Sequence, residues 1–160
     1  MKLPSVNYLW DKAVHSFLRF PLTIISAAAG VILGIYLTEK GEDIENVFPY
    51  LNTMLCLALG IPLFFLASIF SETKIQDRKK IIGVHIAAAS LLLLIFISLP
   101  GKEESSNTFL PYIRYGIYNA IIHLAVSFFP YLNKGNLKGF WEYNKTLFLR
   151  IVSAVIYSGF

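Results

Sequence analysis

Residues 48–70 read FPYLNTMLCLALGIPLFFLASIF, with no charged side chain anywhere in the run. About 20 mostly apolar residues in a helix cross a hydrocarbon core of roughly 30 Å. In lipid every backbone N–H and C=O has to find a partner within the spanning unit, which a helix provides. The run does not alternate polar and apolar positions, so it does not read as a barrel strand. It predicts a membrane-spanning helix, and the remainder of the chain repeats the pattern. Apolar runs occupy 21–37, 81–99 and 109–132, and a further one begins near Tyr143 and is still apolar at Phe160. The expected fold class is all-α: a polytopic transmembrane helical bundle over 21–160, preceded by a separate helix within 1–20. Counted from Leu147, the last run offers only about 14 residues, roughly 21 Å of helix. This incomplete span over 143–160 leads to the expectation that the chain is the N-terminal piece of a longer protein.

Composition agrees with a lipid environment. Of 160 residues 56% are hydrophobic and 15% charged, against about 25% charged in ordinary soluble domains. The net charge of +4 comes from basic residues placed between apolar runs, not clustered on a soluble face, so nucleic acid is not an expected partner. Cys56 is the one cysteine, which excludes an intrachain disulfide and a thiolate metal cluster.

The loops assign a direction. Lys2, Lys12 and Arg19 precede the first run, Lys74, Arg78, Lys79 and Lys80 follow the second, and Lys134, Lys138 and Lys145 follow the fourth. The other two loops carry Lys40 and Lys102 beside Glu39, Glu42, Asp43, Glu45, Glu103 and Glu104. Basic loops stay cytoplasmic, so the N-terminus is expected inside, in a bacterial cytoplasmic (inner) membrane. Ser26 to Gly30 resembles a signal-peptide cleavage region, but it sits mid-run with too short an apolar core before it.

Val6, Leu9, Trp10, Ala13, Phe17 and Phe20 recur at helical spacing, with Asn7, Asp11, Lys12 and Arg19 on other faces. Ser5 is a candidate N-cap, and Pro21 suits the first turn of the helix that follows. Such a helix fits the cytoplasmic membrane interface; it equally fits a position packed on the protein's own cytoplasmic loops.

Candidate functional residues lie inside the runs. Ser26, Gly30 and Gly34 form a small-residue stripe suited to close helix packing, within the chain or between copies. Pro62, after Gly60, removes a backbone donor mid-helix and is a candidate kink. In the fourth run Tyr115, Asn119, His123 and Ser127 repeat every four residues, with Tyr112 and Arg114 near one end. Intramembrane polar groups either bond neighbouring helices or line a path for a proton or substrate; the first use is the commoner. Asn52 and His85 are further polar positions within the second and third runs. His15, His85 and His123 form no metal-binding pair, and the runs contain no Asp or Glu. No catalytic residue, metal or cofactor is therefore expected. The acidic stretch from Glu39 to Glu45 lacks calcium-loop spacing.

Two segments, RFPLTIISAAAGVILGIYL at Arg19 to Leu37 and FWEYNKTLFLRIVSAVIYSGF at Phe140 to Phe160, together resemble the bacterial domain-of-unknown-function 4153 family. Trp141, Tyr143, Asn144, Lys145 and Arg150 carry most of the likeness. The resemblance implies a longer multi-pass membrane protein with an amphipathic lead-in, and it implies no reaction, ligand or catalytic residue. The expected role is a non-enzymatic membrane or envelope module whose partners are the bilayer and another membrane protein or a second copy. The alternative is part of a transporter or permease with a polar path along the fourth run.

Overall fold

The computed structural model describes residues 5–40, 44–75, 77–102, 109–131 and 137–158. Lys2, Glu42, Asp43, Glu103, Glu104, Lys134 and Phe160, which entered the reading above, lie outside them, as do the side chains of Val6 and Leu9. The described residues are helical almost throughout and contain no strand. Six α-helices follow in order: α1 Val6–Arg19, α2 Pro21–Lys40, α3 Phe48–Lys74, α4 Arg78–Ser98, α5 Phe109–Phe128 and α6 Leu137–Ser158, with a 3-10 turn at Phe129–Tyr131 after α5. Three of them, α2, α3 and α4, are long and apolar enough to cross a membrane. α5 has comparable length but is not one of the three; Arg114, Asn119 and His123 interrupt its apolar sequence.

Helix boundaries follow local chemistry. Ser5 accepts the Tyr8 N–H at 3.3 Å and so caps α1. Pro21 has no N–H for the Phe17 carbonyl, and a residue before proline avoids the helical region. Phe20 accordingly sits at φ −129°, ψ 54°, and α2 starts directly after it. Asp77 accepts the Lys79 N–H at 2.9 Å and opens α4. Several helices outrun the apolar stretches that predict them: α2 continues to Lys40 and α3 to Lys74, since polar residues beyond the slab still favour helix. α6 begins earlier than its apolar run, at Leu137.

α3 is the axis of the bundle. Its Leu59, Leu63, Phe64 and Ala67 form the core with Ala88 and Ile95 of α4 and Ile122 of α5. Cross-contacts give the directions. Phe20 meets Phe65, Ser26 meets Leu57 and Tyr36 meets Tyr50, so α2 runs antiparallel to α3. His85 pairs with Ser68, Cys56 with the Leu92 carbonyl and Asn52 with the Pro100 carbonyl, so α4 is antiparallel as well. Tyr112 reaches Asn52, Tyr115 reaches Leu55 and Phe129 meets Phe70, so α5 runs parallel to α3. Most other large apolar side chains of α2, α4 and α5 point outward and are exposed, including Ile32, Leu94, Ile97 and Leu124. A surface of this kind suits lipid, not water.

The tightest point is Gly60. A Cβ there would stand 2.5 Å from Ser26 Oγ on α2 and 3.3 Å from Leu92 Cδ1 on α4. Gly30 makes ordinary contact with the Leu57 Cβ, at 3.7 Å from its own Cβ position, whereas Gly34 has nothing within 4 Å. Two of the three small-stripe residues thus meet α3, and the third faces open space. Gly60→Ala is expected to destabilise the bundle by about 1–3 kcal/mol, the usual cost of overpacking. Adding Ser26→Ala removes the displaced hydroxyl and should recover part of that loss. Unfolding in mixed micelles of mild and denaturing detergent measures both; strictly additive losses would show that the clash lies elsewhere.

Candidate functional site

Polar side chains of the bundle converge on α3, and they do so in layers along its length. At the α3 N-terminus, Asn46 accepts the Phe48 N–H at 3.2 Å and donates to the Gly101 carbonyl at 2.9 Å. One turn further, Asn52 is 2% exposed. Its Nδ2 donates to the Pro100 carbonyl at 2.8 Å, and its Oδ1 accepts the Tyr112 hydroxyl at 3.1 Å. This amide joins α3 to the residues just after α4 and to α5. A buried amide in lipid needs such partners on both its donor and acceptor sides.

In the middle layer the contacts are to backbone. Tyr115 donates to the Leu55 carbonyl and Ser26 to the Leu57 carbonyl, each at 2.8 Å. Cys56 makes a weak 3.9 Å contact with the Leu92 carbonyl. The Leu55 and Leu57 carbonyls lie within two turns N-terminal to Pro62, which cannot donate to the Ala58 carbonyl. α3 nevertheless continues through Pro62 as one helix. In the next layer His85 Nδ1 lies 2.9 Å from the Ile81 carbonyl and Nε2 lies 3.3 Å from Ser68 Oγ. Nδ1 donates to the backbone carbonyl when it carries the proton, and Nε2 then pairs with the serine hydroxyl.

The four-residue stripe on α5 separates into two parts. Tyr115 crosses to α3, and half-buried Asn119 neighbours its hydroxyl. His123 is exposed, and its Nδ1 lies 2.9 Å from the carbonyl of Asn119 in its own helix. Ser127 donates to the His123 carbonyl at 3.4 Å, while its own carbonyl accepts from Asn144 of α6. Beside this stripe, α4 and α5 flank a cleft of about 300 Å³ lined by Leu91, Leu94, Ile95, Ser98, Tyr118, Ile121 and Ile122. None of the four stripe residues lines it. Among the described residues no group of three His, Cys, Asp or Glu side chains could hold a metal ion.

At the opposite end of α3, beyond the apolar run that ends at Phe70, Arg19 and Glu72 form a two-pronged ion pair. Nε and Nη2 each lie 2.8 Å from a carboxylate oxygen. The guanidinium also covers the Phe20 ring, 4.8 Å from its centroid. Hydrogen bonding to Arg19 holds the Glu72 carboxyl below the usual carboxylate range, and the same bond raises Arg19. The partners are 53 residues apart in sequence, so spacing gives no sign of the pair. Asn52 and Tyr112 were visible as polar residues within apolar runs, but their mutual contact was not.

Comparison with protein-family models, with curated proteins and with solved structures finds no match for this chain.

Two outcomes follow from this geometry. Asn52→Ala strands the Tyr112 hydroxyl and the Pro100 carbonyl and should cost about 1–3 kcal/mol. In combination with Tyr112→Phe the losses should be less than additive in a double-mutant cycle. For the ion pair, the lowered Glu72 pKa means that its contribution is full at neutral pH and is lost as acid protonates the carboxylate below about pH 4. The side chains are 50% and 40% exposed, so the contribution is only about 0.2–1 kcal/mol. Spin labels at His15 and Thr73 should report one narrow distance at pH 7 that broadens in acid; Glu72→Gln should broaden it at neutral pH.

Proposed function

We propose that this chain is a polytopic, non-enzymatic membrane module in which α2 to α5 all traverse the bilayer, α6 begins a further span, and the N-terminus lies on the cytoplasmic side of a bacterial inner membrane. The observation that carries this reading is the destination of the polar side chains. Ser26, Tyr115 and Asn52 donate to carbonyls of neighbouring segments, and Tyr112 donates to Asn52. Interhelical hydrogen bonds of this type orient helices that have no hydrophobic reason to associate in lipid. A role as scaffold or assembly partner uses a rigid core of this kind and an outer surface of exposed apolar side chains. The resemblance to the domain-of-unknown-function 4153 family is compatible with such a module and adds no reaction to it.

The relative helix directions support four crossings. α3 and α5 run together and α2 and α4 run against them, as alternate passes of one chain require. Arg114 is exposed near the start of α5, where its long side chain can reach the outer headgroups. A transport role would instead place Asn119 and His123 on water. The exposed ring of His123 is the one observation in its favour, and its Nδ1 already faces its own helix backbone.

Cysteine substitution at Asn119 and Ser127 separates the two roles. A packed module resists water-soluble thiol reagents at both positions, whereas labelling at both, blocked by a bound solute, would replace it with a permeation path. For topology, reporters fused after Glu42 and Glu103 should read outside and one after Arg78 inside. The reverse pattern would invert the orientation without altering the bundle.

A further inference from the structure

Among the described residues nothing covers one face of α1. On regular helix geometry Trp10, Ala13, Val14 and Phe17 fall within about 100° of arc, and Lys12, His15 and Arg19 lie on the other side. All four members of the apolar group are exposed, Trp10 at 70%. Two features fix where that face lies. Only Phe20 separates α1 from α2, so α1 cannot move far from the end of the apolar slab. Its last residue, Arg19, is also clamped to Glu72 in the last turn of α3.

The same end of the bundle is basic. Arg78, Lys79 and Lys80 form the first turn of α4 and are exposed, as is Lys12 on α1. The acids beside them are largely engaged, Glu72 by Arg19 and Asp77 by the Lys79 N–H. Asp11 is the one carboxylate on α1. Three cations in a helix's first turn oppose its dipole, a placement that a surface of negative charge offsets. An apolar stripe alone would suit any hydrophobic partner. A stripe at the slab edge beside a cluster of cations suits a leaflet rich in anionic headgroups.

We propose that α1 lies along the membrane surface with its Trp10–Phe17 face among the upper acyl chains, and that Lys12 and the Arg78–Lys80 turn hold anionic phospholipid headgroups around it. This rests on the membrane-module reading and names the lipid class that its α1 end recognises. The cations face headgroups while the aromatic and aliphatic side chains enter the hydrocarbon boundary. The Arg19–Glu72 pair keeps the helix level with the end of α3. Neither signal alone holds a short helix firmly; together they do.

The test uses the full chain with Trp141→Phe, which leaves Trp10 as the sole tryptophan, reconstituted into phosphatidylcholine vesicles with or without phosphatidylglycerol. In the anionic vesicles Trp10 emission should be blue-shifted, quenched by lipids brominated near the carbonyl end of the acyl chains, and shielded from acrylamide. Changing Arg78, Lys79 and Lys80 in turn to Gln should lower the ratio of lipid-seated to water-exposed α1 about fivefold per cation. Three results would overturn the proposal: Trp10 open to acrylamide in both vesicles, Trp10 shielded from both quenchers and so buried in protein, or quenching indifferent to headgroup charge. Alkaline extraction of the same vesicles separates the levels. A chain released by alkali overturns the membrane module itself, whereas a chain that stays while Trp10 is wet overturns only the α1 proposal.

Discussion

In hydrocarbon a helix gains little by burying leucine against leucine, because the lipid tail it displaces is as apolar as the partner it meets. Association then depends on how near two backbones can come and on which polar groups they can satisfy. Gly60 supplies the nearness here. It has Ser26 of α2 on one side and Leu92 of α4 on another, both within distances that a methyl group would violate or crowd. The Ser26 hydroxyl that occupies this gap donates to the Leu57 carbonyl, less than one turn away on α3. Close approach and hydrogen bonding are one arrangement: the glycine makes room for the hydroxyl, and the hydroxyl fixes the register of α2 on α3. α5 is fixed in the same way from the far side, by the Tyr115 hydroxyl on the Leu55 carbonyl.

This dependence explains what the sequence makes legible. The order and approximate limits of α2 to α6 follow from the apolar runs, and α1 follows from its helical spacing. α2, α3 and α4 are plain in composition. α5 is harder, because Arg114, Asn119 and His123 lower its apolar character. Tyr112 and Tyr115, which tie it to Asn52 and the Leu55 carbonyl of α3, give no sign of that contact in the apolar pattern. The pairs themselves, Arg19 with Glu72 and Asn52 with Tyr112, join residues 53 and 60 positions apart. No periodic pattern relates them, and only the docking of one helix on another brings them together.

The two outer helices show what lies beyond this core. α1 touches the bundle at Arg19 and Phe20 and leaves its apolar face open. α6 is joined at its start by Tyr143 on the Val126 carbonyl, Asn144 on the Ser127 carbonyl and the stacked rings of Phe128 and Phe140. Farther along α6, Phe148, Leu149, Ile151 and Ile156 are exposed. Both helices are anchored at one end by polar and aromatic contacts, and both offer apolar surface along the rest of their length. For α1 the neighbouring cations specify the kind of surface it fits. α6 has Lys138, Lys145 and Arg150 spread along its length, with no three cations in one turn.

The α5 stripe shows how a sequence pattern can be correct in spacing and still mislead about direction. Each four-residue step on a helix with 3.6 residues per turn overshoots a full turn by about 40°. Starting from Tyr115, which faces α3, Asn119 lies about 40° away, His123 about 80° and Ser127 about 120°. Ile122 and Val126, by contrast, return to within about 20° of Tyr115 on opposite sides, and they are the buried residues of α5. The face that meets α3 is therefore Tyr112, Tyr115, Ile122 and Val126, with Asn119 at its edge and His123 rotated out. A four-residue repeat marks a line winding slowly around a straight helix. Shared contact with one neighbour calls for a mixture of three- and four-residue steps, and along α5 that mixture runs from Tyr112 and Tyr115 to the buried Ile122 and Val126.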